Sequence, residues 1–185
     1  MKRITIKELA TETAKLLGES LLLECQPEES PFPTLEDQVR ILSPELLSSL
    51  ILESPLEMLR DAGKEIVSTP SIDADGGVTL ECPEDFLRLI YLKMSDWRVA
   101  VTKITPLSSS LLSRQGSKWN GIRGNPDKPL AILLPTGLRL YSSSQGASLE
   151  RGIYVARPKI KEDDSLEIPD GLYFPLLQKI AEGLK

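Results

Sequence analysis

Glu81, Glu84 and Asp85 cluster around Pro83, and they are the residues of this chain best spaced for chemistry. Paired carboxylates can act as general acid and base, or cleave a glycosidic bond. Acids at a strand end beside a proline are also an ordinary set of solvated charges, and that is the simpler reading. Just upstream, Asp73 and Asp75 with Gly76-Gly77 resemble the start of a calcium loop. Counting from Asp73 puts Glu84 at the twelfth position, as an EF-hand requires. Gly77 then stands where the motif wants Asp or Asn, and Val78 where it wants glycine. The segment reads as a turn into a strand, and no metal ligand is assigned.

Two serine triplets, Ser108-Ser109-Ser110 and Ser142-Ser143-Ser144, have no base beside them, and the chain has no histidine. That excludes Ser-His-Asp and Cys-His nucleophiles, most catalytic zinc sites and the usual proton shuttle. Carboxylate-only, lysine and magnesium chemistry survive this exclusion. Asn120-Gly121-Ile122-Arg123-Gly124-Asn125 lacks the lysine and the spacing of a phosphate-binding P-loop. Arg114, Lys118, Arg123 and Lys128 make this stretch basic, suited to an acidic partner or simply solvated. Trp119 sits in it and is a candidate interface anchor, whereas Trp97 is as well suited to the core. Cys25 and Cys82 form no CxxC pair. Two free thiols are the simpler expectation, with one disulfide left open. No catalytic residue and no cofactor site emerges, and the chain reads as a non-enzyme.

The chain has 185 residues, 41% hydrophobic and 26% charged, with a net charge of −5. That is enough to bury a core without staples. The acidic balance argues against broad binding to nucleic acid or an anionic membrane. MKRITIKELA has basic residues but no apolar run behind them, so neither a signal peptide nor a membrane span is expected.

Thr5 and Glu8 have capping-box spacing, and Ile6, Leu9, Ala10, Leu16 and Leu17 fall largely on one helical face before Gly18. CQPEESPFP over 25–33 reads as a linker or extended arm. Leu35, Val39 and Leu42 mark a short helix. Ser43-Pro44 and Ser54-Pro55 each read as a fresh helix start, the latter with Glu57 completing a capping box. Strands are expected at Gly77–Leu80, Leu87–Met94, Trp97–Ile104, Leu130–Leu134, Leu138–Tyr141 and Gly152–Ala156. Pro135-Thr136-Gly137 would form a hairpin turn. Residues 107–129 form a long excursion, KIKEDDSLE a polar connector, and Pro169-Asp170 opens a final helix over 169–184. The expected organisation is an N-terminal helix and proline-rich arm over 1–33, then one α+β domain over 34–185. Within that domain lie helices over 34–67, an antiparallel β region over 77–157 (sandwich, open barrel or curved sheet), and the C-terminal helix.

Val78-Thr79-Leu80-Glu81-Cys82-Pro83-Glu84-Asp85-Phe86-Leu87-Arg88-Leu89 is a strand, a proline-acid turn and a second strand. Lys93-Met94-Ser95-Asp96-Trp97, Arg123-Gly124-Asn125-Pro126, Lys128-Pro129, Leu138-Arg139-Leu140-Tyr141, Ile153-Tyr154 and Ile168-Pro169-Asp170 follow in order. Over residues 40–184 this series resembles the head–tail adaptor (tail accessory, or connector) proteins of short-tailed bacteriophages. The form is that of phages and prophages of gut Bacteroidales, including crAss-like phages. The resemblance implies a virion structural protein at the head–tail interface: a dodecameric ring beneath the portal, touching portal and tail proteins, with DNA passing through as cargo. It implies no small-molecule substrate. It makes the 25–33 arm, the 107–129 excursion and the C-terminal helix the contact elements. Phe32, Arg114, Trp119, Arg123, Leu176 and Ile180 are then the interface candidates. The competing expectations are a non-catalytic intracellular binding or scaffold module, and an enzyme in which Asp163 or Asp170 joins the Glu81 cluster.

Overall fold

Thr5 and Glu8 cap one another. The Glu8 amide donates to Thr5 Oγ1 at 3.2 Å, and the Thr5 amide donates to Glu8 Oε2 at 3.0 Å. In the computed structural model, residues 1–18, 33–72, 77–115, 126–144 and 146–184 are described. The elements run β1 (Lys2–Thr5), α1 (Ile6–Leu17), α2 (Leu35–Glu53), β2 (Gly63–Glu65), β3 (Ser71–Ile72), β4 (Val78–Leu80) and β5 (Phe86–Met94). They continue α3 (Ser110–Gln115), β6 (Leu130–Leu134), β7 (Gly137–Tyr141), β8 (Leu149–Ala156), β9 (Ser165–Ile168) and α4 (Tyr173–Gly183). Short 3-10 turns at Leu56–Leu59 and Asp170–Leu172 complete an α+β fold with N-terminal helices, antiparallel sheets and a C-terminal helix.

The chain divides into two units. The first is discontinuous, Met1–Ala62 with Ala156–Lys185. Here α1, α2 and α4 pack on one another, and β1 pairs antiparallel with β9. In α1, Ile6, Leu9, Ala10, Thr13 and Ala14 are buried, a helical stripe that ends where Gly18 turns left-handed at φ 75°. Buried Thr13 donates back to the Leu9 carbonyl at 2.8 Å, so its hydroxyl costs the core little. Leu172, Leu176, Leu177, Ile180 and Ala181 bury the opposing face of the C-terminal segment. Each large aliphatic side chain buried here contributes about 1.5–3 kcal/mol.

Thr34 and Asp37 form a second capping box at the start of α2. From there the helix runs unbroken to Glu53, through Pro44, instead of restarting at Ser43. Ser43 is buried inside the helix and caps nothing. A mid-helix proline forfeits one backbone bond, about 3 kcal/mol in an isolated helix. Val39, Leu47, Leu50 and Ile51 on the buried face offset that loss, as tertiary packing commonly does. The helix expected after Ser54-Pro55 is only the 3-10 turn Leu56–Leu59, with no side-chain cap.

The units divide the chain differently from the boundary expected at residue 33. Far from being an appendage, α1 is a core helix of the first unit, and the β unit interrupts that unit between Ala62 and Ala156. The polar connector KIKEDDSLE also holds the start of a strand. Ser165–Ile168 pairs with Lys2–Thr5, a partner at the far end of the chain that local patterning cannot announce.

The second unit, Gly63–Val155, contains two separate sheets, of order β2-β8-β5 and β3-β4-β7-β6. The hairpin β6–β7 turns on Pro135-Thr136, with Leu134 opposite Gly137, where the turn was expected. Gly137 has φ 132°, and a Cβ there would lie 2.4 Å from the Leu80 carbonyl oxygen, so only glycine fits. Trp97–Ile104 does not form the expected strand. It contributes a single antiparallel bridge, Val101 to Leu92, with both hydrogen bonds at 2.8 Å. The alternation of this segment is broken at Thr102-Lys103, and Val99 stays exposed. Within the excursion, Ser110–Gln115 forms a short helix that no sequence cue marked.

Candidate functional site

Tyr154 is the fixed point of the β unit's polar chemistry. It lies on β8, directly opposite Lys64 of β2, and is 5% exposed. Its hydroxyl donates to Asp85 Oδ1 at 2.8 Å, while Lys64 Nζ sits 3.1 Å from Asp85 Oδ2. The Phe86 ring stacks on the Tyr154 ring, centroids 5.7 Å apart and planes 15° apart. Burial pushes the Tyr154 phenol up to about 12, and the Asp85 charge adds to the shift. Burial alone would raise the Asp85 carboxyl too. Hydrogen bonds from Tyr154 and Lys64 outweigh it and hold the group below the usual carboxylate range. The trio joins β2 and β8 to the start of β5. A phenol locked in its neutral form and an ion-paired carboxylate are suited to holding strands, not to moving protons.

Asp85 is thus withdrawn from the Glu81 cluster. Among the described residues, no three acidic, histidine or cysteine side chains converge to hold a metal ion. Asp163 and Asp170 belong to the first unit. There Asp163 pairs with Arg3 and accepts from Ser165 Oγ at 2.7 Å, and Asp170 donates its amide to Asp61 at 3.0 Å. Asp73 and Asp75, the calcium-like pair, lie outside the described residues.

The second serine triplet has a structural role. Asp96, just after β5, accepts from the Ser143 hydroxyl at 3.1 Å, the Ser144 amide at 2.6 Å and the Ser144 hydroxyl at 3.0 Å. The clamp holds a loop in which Ser142 takes φ 67°. In the first triplet, Ser109 Oγ accepts from the Leu111 amide at 3.3 Å, at the start of α3.

On either side of Glu81-Cys82-Pro83 lies an open depression. One, of about 770 Å³, is walled by Ile66, Val67, Thr69, Pro83 and Leu149. The other, of about 470 Å³, runs along Phe86, Leu133, Leu134 and the Pro135-Thr136 turn. Both contain Glu81, and neither is lined by a Lys or an Arg. Cys82, between them, is a free, half-buried thiol, and burial raises its pKa, which makes it a poor nucleophile. Cys25 lies outside the described residues.

Of the expected interface residues, Leu176 and Ile180 are corrected. Both are fully buried within the first unit, because they face its own helices. The large apolar residue that α4 exposes is Phe174, at 57%. Arg114 lies on α3, with its side chain outside the described residues. Phe32, Trp119 and Arg123 lie outside them altogether, as does most of the 25–33 arm. Sequence reasoning missed Tyr154, Lys64 and Asp96. Only Tyr154 carried a signal, a polar-tipped aromatic on a strand otherwise reading as core.

Charge is divided unequally between the units. The first carries eighteen acidic and eleven basic residues, the second nine acidic and eleven basic. Among the described residues, no helix is long and apolar enough to cross a membrane. No protein-family model matches the chain, and no curated protein matches its sequence.

Proposed function

We propose that this protein is a structural subunit of a bacteriophage head–tail adaptor ring, joining portal to tail and lining the passage for DNA. The resemblance over residues 40–184 is its starting point. The observation that carries it is apolar surface on regular elements of the helical unit. Ile41 is 68% exposed and Leu52 is 54% exposed, both on α2. Eleven residues bring a helix round to within about 20°, so the two share one face, roughly 16 Å apart along the axis. Phe174 of α4 adds a third exposed large side chain. Apolar side chains repeated on one helical face suit packing against another protein. The acidic excess of the same unit suits a passage that repels DNA and lets it slide.

The test is native mass measurement and negative-stain imaging of the purified protein, alone and mixed with a portal ring. A ring of subunits, free or assembled on the portal, is expected. A strict monomer that ignores the portal overturns the reading and leaves the binding module, which the depressions beside Glu81 favour.

A further inference from the structure

Among the described residues, the second unit has a sheet edge with no strand beyond it, and an exposed apolar residue follows directly after that edge strand. β2 is the outer strand of its sheet. The Ile66 amide donates inward to the Gly152 carbonyl at 2.9 Å, so by strand alternation the Glu65 and Val67 main-chain groups face away from β8. Beyond β2 the chain runs through Val67-Ser68-Thr69 in neither helix nor strand, and Pro70 biases Thr69 toward an extended backbone. Among the described residues, the Val67, Ser68 and Thr69 amides have no hydrogen-bond partner. Val67 is 93% exposed, the most exposed large hydrophobic residue described in the protein. Proteins ordinarily blunt a sheet edge with a charge, a bulge or a cover. Lys64 and Glu65 supply charge on β2 itself, whereas Val67-Ser68-Thr69 beyond it carry none.

The depression of about 770 Å³ is lined by this segment, with Ile66, Pro83 and Leu149 as apolar wall and Glu81 as its one charged lining residue. Glu65 lies on the same edge, two residues before Val67. Neither Glu65 nor Glu81 makes an ion pair among the described residues, whereas nearby Lys64 and Asp85 satisfy each other. An open trough with free main-chain donors suits a chain that brings its own backbone better than an enclosed small molecule.

We infer that this edge binds an extended segment of a partner protein, adding a strand beside Glu65–Thr69, with a Lys or Arg set against Glu81 and Glu65 and apolar side chains beside Val67 and Pro83. Main-chain bonds supply affinity. Alternate side chains supply specificity, because successive residues of a strand point to opposite faces. Among the described residues, the excess of unpaired carboxylates over cations at the trough selects a basic segment and rejects an acidic one. The inference does not depend on the adaptor reading.

The probe is a displayed library of random twelve-residue peptides, selected against the full chain and against its Glu81→Lys and Val67→Asp variants. Equal thermal midpoints confirm that each variant is folded. The wild-type chain is expected to enrich peptides with Lys or Arg between apolar or β-branched residues. Amide chemical shifts of Glu65–Thr69 and Glu81–Cys82 should move on binding. Val67→Asp should weaken the selected peptide at least about tenfold, and Glu81→Lys should turn selection toward Asp and Glu. Failure to enrich any peptide, enrichment without basic residues, or binding indifferent to both variants overturns the inference. Ring formation on the portal is read separately, so either proposal can fail alone.

Discussion

Tyr154 and Asp85 are joined by a 2.8 Å hydrogen bond whose donor comes from β8 and whose acceptor stands at the start of β5. Lys64 approaches the same carboxylate from β2, so one acid serves three strands. Tyr154→Phe should cost about 1 kcal/mol, since the half-buried Asp85 keeps Lys64 and gains some water. Asp85→Ala should cost more, up to about 3 kcal/mol, by leaving the Tyr154 hydroxyl unpaired. A double-mutant cycle by urea unfolding should return a coupling on the order of 1 kcal/mol. A coupling near zero would show that the trio holds nothing.

The same pair sets a pH dependence. Asp85 has a lower pKa folded than unfolded, so it stabilises above about pH 4 and the contribution is lost as pH falls through the folded value. Tyr154 has a raised pKa, so its contribution is complete below about pH 10 and is lost as pH rises through about 12. In urea unfolding across acid pH, Asp85→Asn should lose less stability than the natural chain between about pH 5 and pH 3.

Gly137→Ala should destabilise the β unit by at least about 2 kcal/mol, because alanine must adopt a strained φ and meet the Leu80 carbonyl. Thermal unfolding reads the effect. A midpoint unchanged from the natural chain would mean that the hairpin is not held as described.

Pro44→Ala should raise stability by about 1 kcal/mol or more, as the new amide can donate to the Arg40 carbonyl one turn back. A lower thermal midpoint would instead show that the proline ring fills space that alanine cannot.

Core and surface of the helical unit should separate cleanly. Leu176, fully buried, should cost about 2–5 kcal/mol when changed to alanine. Phe174→Ser, at an exposed position, should change stability by less than about 0.5 kcal/mol. Ile41→Glu combined with Leu52→Glu should also leave the thermal midpoint nearly unchanged while abolishing assembly on the portal. Normal assembly by that double variant would remove α2 from the interface.

Wherever the deciding interaction spans only a few residues, the sequence alone determined the outcome. Thr5 and Glu8 are three apart and cap each other, Gly18 stops α1, and Pro135-Thr136 folds β6 onto β7. Those contacts close within one turn of chain, so residue type and spacing suffice, and with hydrophobic periodicity they also make the α+β class legible. Tertiary structure decided what depends on distant partners. Packing carries α2 through Pro44, and pairing with Lys2–Thr5 makes a strand of Ser165–Ile168. The stripe holding Leu176 and Ile180 was visible in the sequence, but a stripe does not say whether its own chain or another covers it. The fold covered it with α1 and α2, and left Ile41, Leu52, Phe174 and Val67 to the solvent. The Asp85–Tyr154 bond was equally hidden, because nothing in local spacing links residues so far apart in the chain.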